Sequence, residues 1–166
     1  YKKAQNLAEN EPLYRVWLTE AYNNDGAKCL DGSMPALYFR PATGSATNKW
    51  QIFLEGGGWC AGVGQQVSGM PDCYFRAMYE DVGSSKTWMP YMYVGNYESD
   101  NPEENPLSYN WNLAYIKYCD GASFSGNNES TVSYNGLTLY FRGWRILNGA
   151  LNLLRDAYGF RAESVT

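Results

Sequence analysis

Hydrophobic residues are grouped in short runs along this chain, and each run predicts an element of regular structure. The run Trp50-Gln51-Ile52-Phe53-Leu54 predicts one buried strand, and Leu113-Ala114-Tyr115-Ile116-Lys117-Tyr118 predicts another. A shorter run at 36–39, between turn-forming residues, predicts a strand that pairs antiparallel at a sheet edge with an ordered segment starting near 16–18.

The last long element is predicted to be an amphipathic helix over residues 143–158 that packs on a sheet and stops before Gly159. Its apolar stripe recurs every three or four positions and consists of Trp144, Leu147, Leu151, Leu154 and Tyr158. Residues 164–166 resemble the start of a further strand. Strand, helix and strand in succession are typical of an α/β fold.

Two polar stretches interrupt this pattern. Residues 1–12 end in a proline and are predicted to form an exposed lead-in, so that the domain portion covers residues 13–166. Residues 62–112 are rich in Gly, Pro, Ser, Tyr and Asn, and only 73–80 shows weak helical character. An excursion of this length is typical of a lid or binding loop, although a well-packed surface loop has the same composition.

Composition narrows the class of protein. A chain of 166 residues with 45% hydrophobic residues suits one globular domain or part of one. Its net charge of −4 argues against partners such as nucleic acid or an anionic membrane surface, and no apolar stretch approaches the ~18 residues that cross a bilayer. Aromatic residues make up 16% of the chain, which suits either sugar-stacking surfaces or ordinary core packing.

The four cysteines are predicted to form two disulfides, because there is no C-x-x-C motif and no histidine to complete a zinc site. Spacing favours Cys60 with Cys73, which leaves Cys29 with Cys119; four free buried cysteines are the alternative. Disulfides imply an oxidising compartment, and Asn128-Glu129-Ser130 is a compatible glycosylation acceptor.

Small-residue loops follow both predicted strands. Glu55-Gly56-Gly57-Gly58-Trp59-Cys60 follows the first, and Cys119-Asp120-Gly121-Ala122-Ser123-Phe124-Ser125-Gly126 follows the second. If the strands are parallel neighbours, both loops meet at one site. Consecutive glycines let backbone N–H groups approach a small anion, as in the oxyanion hole of a hydrolase, although a tight turn also uses glycine. With no histidine in the chain, a general base of a triad must lie elsewhere or be absent.

Six motifs in order resemble the pectin acetylesterase family, which includes the Notum-type lipid-removing carboxylesterases. The resemblance covers roughly residues 17–166. The motifs are Lys28-Cys29-Leu30-Asp31-Gly32-Ser33-Met34-Pro35, Leu54-Glu55-Gly56-Gly57-Gly58-Trp59-Cys60, Gly83-Ser84-Ser85-Lys86, Asn105-Pro106 with Tyr109-Asn110-Trp111-Asn112, Tyr118-Cys119-Asp120-Gly121-Ala122-Ser123-Phe124-Ser125-Gly126 and Phe141-Arg142-Gly143.

The resemblance implies an α/β-hydrolase fold with a mostly parallel sheet, flanking helices and a Ser-Asp-His triad. In such a fold the nucleophile follows the strand that begins here near Val165. The chain is therefore expected to be an amino-terminal part that stops before the nucleophile elbow, and to be inactive alone.

Specific residues inherit roles from this resemblance. Gly57 and Gly58 match the oxyanion hole, and the family pattern supports both cysteine pairings. Glu55 and Asp120 are interpreted as structural carboxylates that order their loops. The residues expected to line the substrate pocket, with plain packing as the alternative, are Gly56, Trp59, Ser123 and Phe124.

The favoured function is removal of acetyl groups from pectin or a related wall polysaccharide by a secreted serine esterase. The alternatives are a Notum-like palmitoleoyl-protein carboxylesterase and a secreted, non-catalytic carbohydrate-binding protein. Notum-type members carry a bulky aromatic residue at the place of Gly58, which disfavours a fatty acyl substrate here. No metal or organic cofactor is implied, since serine esterases use side chains and backbone dipoles alone.

Overall fold

The computed structural model describes residues 10–60 and 69–161, which form seven strands and two α-helices. Single turns of π-helix and 3₁₀-helix lie at Ala21–Asp25 and Asn96–Glu98. The strands are β1 (Leu13–Trp17), β2 (Ala36–Arg40), β3 (Trp50–Leu54), β4 (Tyr91–Met92), β5 (Asn112–Ile116), β6 (Val132–Tyr134) and β7 (Leu137–Leu139), and the helices are α1 (Met70–Tyr79) and α2 (Gly143–Tyr158).

Five strands form one mixed sheet in the order β3-β5-β2-β1-β4. β3 and β5 are parallel neighbours, with Ile52 opposite Ala114, whereas the other pairs are antiparallel. The antiparallel pairing of β1 with β2 is confirmed, but the prediction that these are edge strands is wrong: β2 lies between β5 and β1, and β1 is flanked by β4. The two-residue strand β4 carries too little pattern to be predicted.

Helix α2 covers one face of this sheet, within the predicted bounds. Its buried residues are Gly143, Ile146, Gly149, Ala150 and Leu154. The predicted stripe is confirmed at Leu154, which is buried, and at Leu147, which is partly buried and packs against the core, but it is wrong for Trp144, which is 47% exposed, and for Tyr158, which is 37% exposed. The reason is close packing against the turn at Ala21–Asp25, where a Cβ added at Gly149 would lie 2.4 Å from that of Ala21. Small side chains thus allow the close approach of the helix, while Ile146 and Leu154 on the same face fill the core.

The opposite face of the sheet is covered by the second half of the long excursion. Val94 packs against Leu13, Tyr38 and Leu113 in a separate apolar cluster. The hydroxyl of Tyr38 donates to the carbonyl of Met89 at 2.6 Å. This part of the excursion supports the sheet, which favours the packing interpretation for residues 88–98; residues 61–68 lie outside the described residues.

Two local features differ from the sequence prediction. Asn10 is buried and its amide donates to Val94 at 2.8 Å, so the predicted exposed lead-in is already ordered there. The hairpin of β6 and β7 went unpredicted, although its turn is Asn135-Gly136, a dipeptide typical of two-residue hairpin loops.

The predicted strand start at 164–166 lies outside the described residues. In the described ranges, neither helix has the length and apolarity to cross a membrane.

Candidate active site

The two small-residue loops meet at one edge of the sheet, as predicted. Because β3 and β5 run parallel, the loops that follow these two strands leave the sheet at the same edge. The amide of Cys60 donates to the carbonyl of Gly121 at 2.9 Å, and the hydroxyl of buried Tyr118 donates to the carbonyl of Gly58 at 2.6 Å. The loops therefore form one connected surface.

The glycine loop is exposed, and its carbonyl groups are bound. The carbonyls of Gly57 and Gly58 accept hydrogen bonds from Arg76 at 2.7 and 2.9 Å. No described residue accepts a hydrogen bond from the amide of either glycine. Gly58 has a φ of 67°, which favours glycine, and the backbone at Gly57 lies directly against the ring of Tyr118. Among the described residues these two backbone N–H groups therefore have no acceptor, and both belong to exposed residues.

Helix α1 is attached to this loop by a covalent bond and by a side chain. The predicted disulfide between Cys60 and Cys73 is confirmed and joins the end of the loop to the first half of the helix. Arg76 lies one turn further along, with its side chain only 14% exposed and paired with Asp72 at 3.2 Å. The second predicted disulfide, Cys29 to Cys119, is also confirmed and anchors the end of β5.

Glu55 lies at the exit of β3 and links it to β5. One carboxylate oxygen accepts a hydrogen bond from the amide of Tyr118 at 2.8 Å, and the other pairs with the Lys117 ammonium at 2.6 Å. The Tyr115 hydroxyl also approaches the carboxylate at 3.4 Å; burial, with Glu55 nearby, raises the pKa of this phenol well above its ordinary value. These contacts agree with a structural role for Glu55.

Asp120 is fully buried beneath the second loop. Its Oδ2 accepts a hydrogen bond from the amide of Phe124 at 3.0 Å, while no described residue bonds Oδ1. Burial raises the pKa of the carboxyl from 3.8 to about 6, against the opposing effect of the backbone hydrogen bonds. Asp120 therefore orders the loop from its buried side. Ionising this carboxyl costs more free energy in the folded protein than in the unfolded chain.

The raised pKa of Asp120 predicts that the free energy of unfolding depends on pH. Asp120 binds its proton more tightly in the native than in the unfolded chain, so stability falls as pH rises from about 4 to about 6. At about 1.4 kcal/mol per pH unit, the loss approaches about 3 kcal/mol. Urea unfolding of wild type and Asp120→Asn across this range should show stability falling more steeply with pH in wild type, because the other carboxyl groups contribute to both profiles alike. Parallel pH profiles would contradict the assignment.

The remaining predicted site residues fall into two groups. Trp59 is 52% exposed and its indole N–H donates to the hydroxyl of Ser123 at 2.6 Å, so these side chains bridge the loops at the surface. Phe124 is 4% exposed and packs edge-on against Tyr118, with ring centroids 5.6 Å apart. The structure thus places Phe124 among core residues, whereas Gly56, Trp59 and Ser123 are exposed.

Sequence reasoning missed the contributions of Arg76 and Tyr118. The signal for Arg76 was available: it follows Cys73 by three residues, so a helix that bonds Cys73 to the loop turns Arg76 toward the same loop. Tyr118 carries no comparable signal, since its spacing fits any buried strand residue. Within residues 10–60 and 69–161, no three His, Cys, Asp or Glu side chains cluster as metal ligands.

Comparison with known proteins identifies similar chains. The sequence matches the Pectinacetylesterase family over residues 7–164. It is 38% identical to pectin acetylesterase 5 of Arabidopsis thaliana over 92% of this chain and 34% of that protein. It is 36% identical to the palmitoleoyl-protein carboxylesterase NOTUM of Schmidtea mediterranea over 84% of this chain and 24% of that protein.

Among solved structures, the Wnt deacylase Notum from Drosophila superposes with a TM-score of 0.73 at 31% identity, covering 89% of this chain and 39% of that one. The predicted α/β-hydrolase fold is confirmed by this likeness together with the mixed sheet and its flanking helices. The chain spans about a third of the length of the curated pectin acetylesterase that it matches.

Proposed function

This chain belongs to the pectinacetylesterase family, and from that membership we propose that it supplies the oxyanion-binding part of a carboxylic ester hydrolase that removes acetyl groups from pectin. The observation that carries the proposal is the pair of exposed residues Gly57 and Gly58, whose amides bond no described acceptor and whose carbonyls are bound by Arg76 and Tyr118. Backbone donors fixed in this way suit the negative charge that develops on an ester carbonyl oxygen.

The proposed reaction is acyl transfer. A serine oxygen attacks the acetyl carbonyl, its proton passes to a histidine, and the carbonyl oxygen becomes an oxyanion that the amides of Gly57 and Gly58 stabilise. Collapse of this intermediate breaks the bond to the polysaccharide oxygen, which leaves with the proton. Water then releases acetate from the serine by the same steps.

The serine, acid and histidine of this mechanism are proposed to follow Thr166 in the whole protein. The chain contains no histidine, so the histidine of this mechanism cannot come from residues 1–166. The outer edge of β3 is not paired with any described strand, and it offers a place for the strand that precedes the nucleophile. Residues 13–166 would then be the first portion of a single hydrolase domain.

An acetyl group is favoured over a long acyl chain by the glycine loop itself. Gly58 has no side chain, and a Cβ built there meets no atom of the described residues within 4 Å, which leaves the space before this part of the loop open to a bulky polysaccharide. Trp59 and Ser123 at the rim are proposed to contact that substrate. The protein that acts on such a substrate is proposed to be secreted to the cell wall, with a sugar on exposed Asn128 that a glycopeptide mass would reveal.

The proposal is tested with the whole protein that contains this chain. We expect it to release acetate from acetylated pectin and from 4-nitrophenyl acetate, with much lower kcat/KM for 4-nitrophenyl palmitate. A serine-directed phosphonate should abolish the activity and label a serine beyond Thr166, while residues 1–166 alone should show no hydrolysis.

Three results would count against it. Preference for the palmitate ester would favour the Notum-like alternative. Binding of pectin without acetate release would favour a non-catalytic protein. Label on a serine within residues 1–166 would refute the assignment of the nucleophile to the later part of the chain.

A further inference from the structure

Arg76 contacts the glycine loop through its guanidinium group. Its Nη1 atom donates to the carbonyls of both Gly57 and Gly58, at 2.7 and 2.9 Å, although the side chain belongs to α1, outside both loops. Its Nε atom pairs with Asp72 on the preceding turn. With 14% of its side chain exposed, the guanidinium is held between the helix and the loop.

The geometry of the peptide unit means that a hydrogen bond to a carbonyl also orients the N–H group of the next residue. In a trans peptide unit the carbonyl of one residue and the N–H of the next point in opposite directions within one plane. Binding the carbonyl of Gly57 therefore fixes the direction of the N–H of Gly58, which is the proposed oxyanion donor. The contact to the carbonyl of Gly58 fixes the next peptide unit in the same way.

The loop needs such an external contact because its own residues cannot hold it. Glycines on both sides of a peptide unit leave it nearly free to rotate, and they carry no side chains that pack. Tyr118 binds the carbonyl of Gly58 but makes no hydrogen bond to that of Gly57. Within the described residues, Arg76 alone bonds the Gly57 carbonyl.

Charge gives the contact a second effect. A cationic donor on a carbonyl polarises the whole peptide unit and strengthens the hydrogen bond that its N–H donates. The disulfide between Cys60 and Cys73 keeps α1, and with it Arg76, at the loop. Orientation and polarisation both act on the amide that faces the developing charge.

We propose that Arg76 is a positioning residue for ester hydrolysis, which through the carbonyl of Gly57 sets the direction of the Gly58 amide in the oxyanion hole. The inference rests on the proposed function, because an oxyanion must form for this amide to matter. It adds to that function a cationic side chain, supplied by a disulfide-bound helix, that acts without touching the substrate.

The test compares Arg76→Ala and Arg76→Lys in the whole protein, with Arg155→Met as the control. Arg155 lies on α2, is half exposed and pairs only with its neighbour Asp156 among the described side chains. We expect Arg76→Ala to lower kcat for 4-nitrophenyl acetate by about 10- to 100-fold, below the full cost of losing an oxyanion donor, with KM changed less than about twofold. Lysine should restore part of kcat, since its ammonium has three donors.

Chemical rescue separates positioning from a purely structural role. Guanidinium ion at a low, non-denaturing concentration should raise kcat of Arg76→Ala but leave wild type and Arg155→Met unchanged. An Arg76→Ala enzyme with wild-type kcat, or one whose loss lies in KM and is not rescued, would overturn the inference. An inactive wild type would instead refute the proposed function.

Where Arg76→Ala fails to fold, Arg76→Lys decides the question. It supports the inference if kcat falls by about threefold or more while the melting temperature and the Cys60–Cys73 bond are unchanged. Wild-type kcat in that variant overturns it.

Discussion

Replacing Gly57 with alanine is expected to lower kcat for acetyl ester hydrolysis by ~10² to 10³, the typical cost of losing an oxyanion donor. A Cβ at this position would lie 2.3 Å from two ring carbons of Tyr118. That ring cannot move aside easily, because Tyr118 is fully buried and its hydroxyl is bonded to Gly58. The loop must shift instead, and its amides shift with it.

Gly149→Ala is the matched control for this prediction. It makes the same chemical change on α2, outside both loops, where an added Cβ would also clash, 2.4 Å from that of Ala21, and φ is not positive. Steady-state kinetics of both variants in the whole protein, measured where both are folded, should therefore show a large loss of kcat for Gly57→Ala and little change for Gly149→Ala. Equal activities would mean that the Gly57 backbone has no special position.

Removal of the disulfide between Cys29 and Cys119 is expected to lower the free energy of unfolding by about 4–5 kcal/mol. The bond joins residues 90 apart, so it restricts the unfolded chain strongly, and both sulfurs are buried in the main core. The double variant Cys29→Ala with Cys119→Ala should show this loss in a denaturant titration of the whole protein.

The shorter disulfide provides the comparison. Cys60 and Cys73 are 13 residues apart, and loop-closure entropy assigns their bond only about 3 kcal/mol. Its removal should nevertheless affect kcat more, because it releases the helix that carries Arg76. If removal of the Cys29–Cys119 bond lowered both stability and kcat more than removal of the Cys60–Cys73 bond, the shorter disulfide would have no special role in activity.

The sequence was sufficient for those parts of the site that depend on strand direction and cysteine spacing. The apolar runs ending at Leu54 and at 118 predicted two strands, and their loops were expected to converge if the strands were parallel neighbours, which the structure confirms. Both cysteine pairings were also predicted and are confirmed. These features could be predicted because each has few alternatives: two neighbouring strands are either parallel or antiparallel, and four cysteines can pair in three ways.

Contacts between distant segments were harder to predict. In α2 the periodic pattern gave weight to Trp144, which is 47% exposed, whereas the close approach to the turn is made by Gly149 against Ala21, a fit between small residues that hydrophobicity does not encode. There the deciding partner lies far away in the chain. Phe124 differs, because the sequence left substrate contact and plain packing both open, and its partner Tyr118 lies in the same motif.

The Arg76 and Tyr118 contacts also bear on attempts to transplant the glycine loop into another hydrolase. Three consecutive glycines have little conformational preference of their own. A graft of residues 55–60 would therefore transfer the sequence of the motif without its conformation. The transferable unit would consist of the loop, the tyrosine at the exit of β5 and the first two turns of the disulfide-bound helix. Design of an artificial esterase on this pattern should copy all three together.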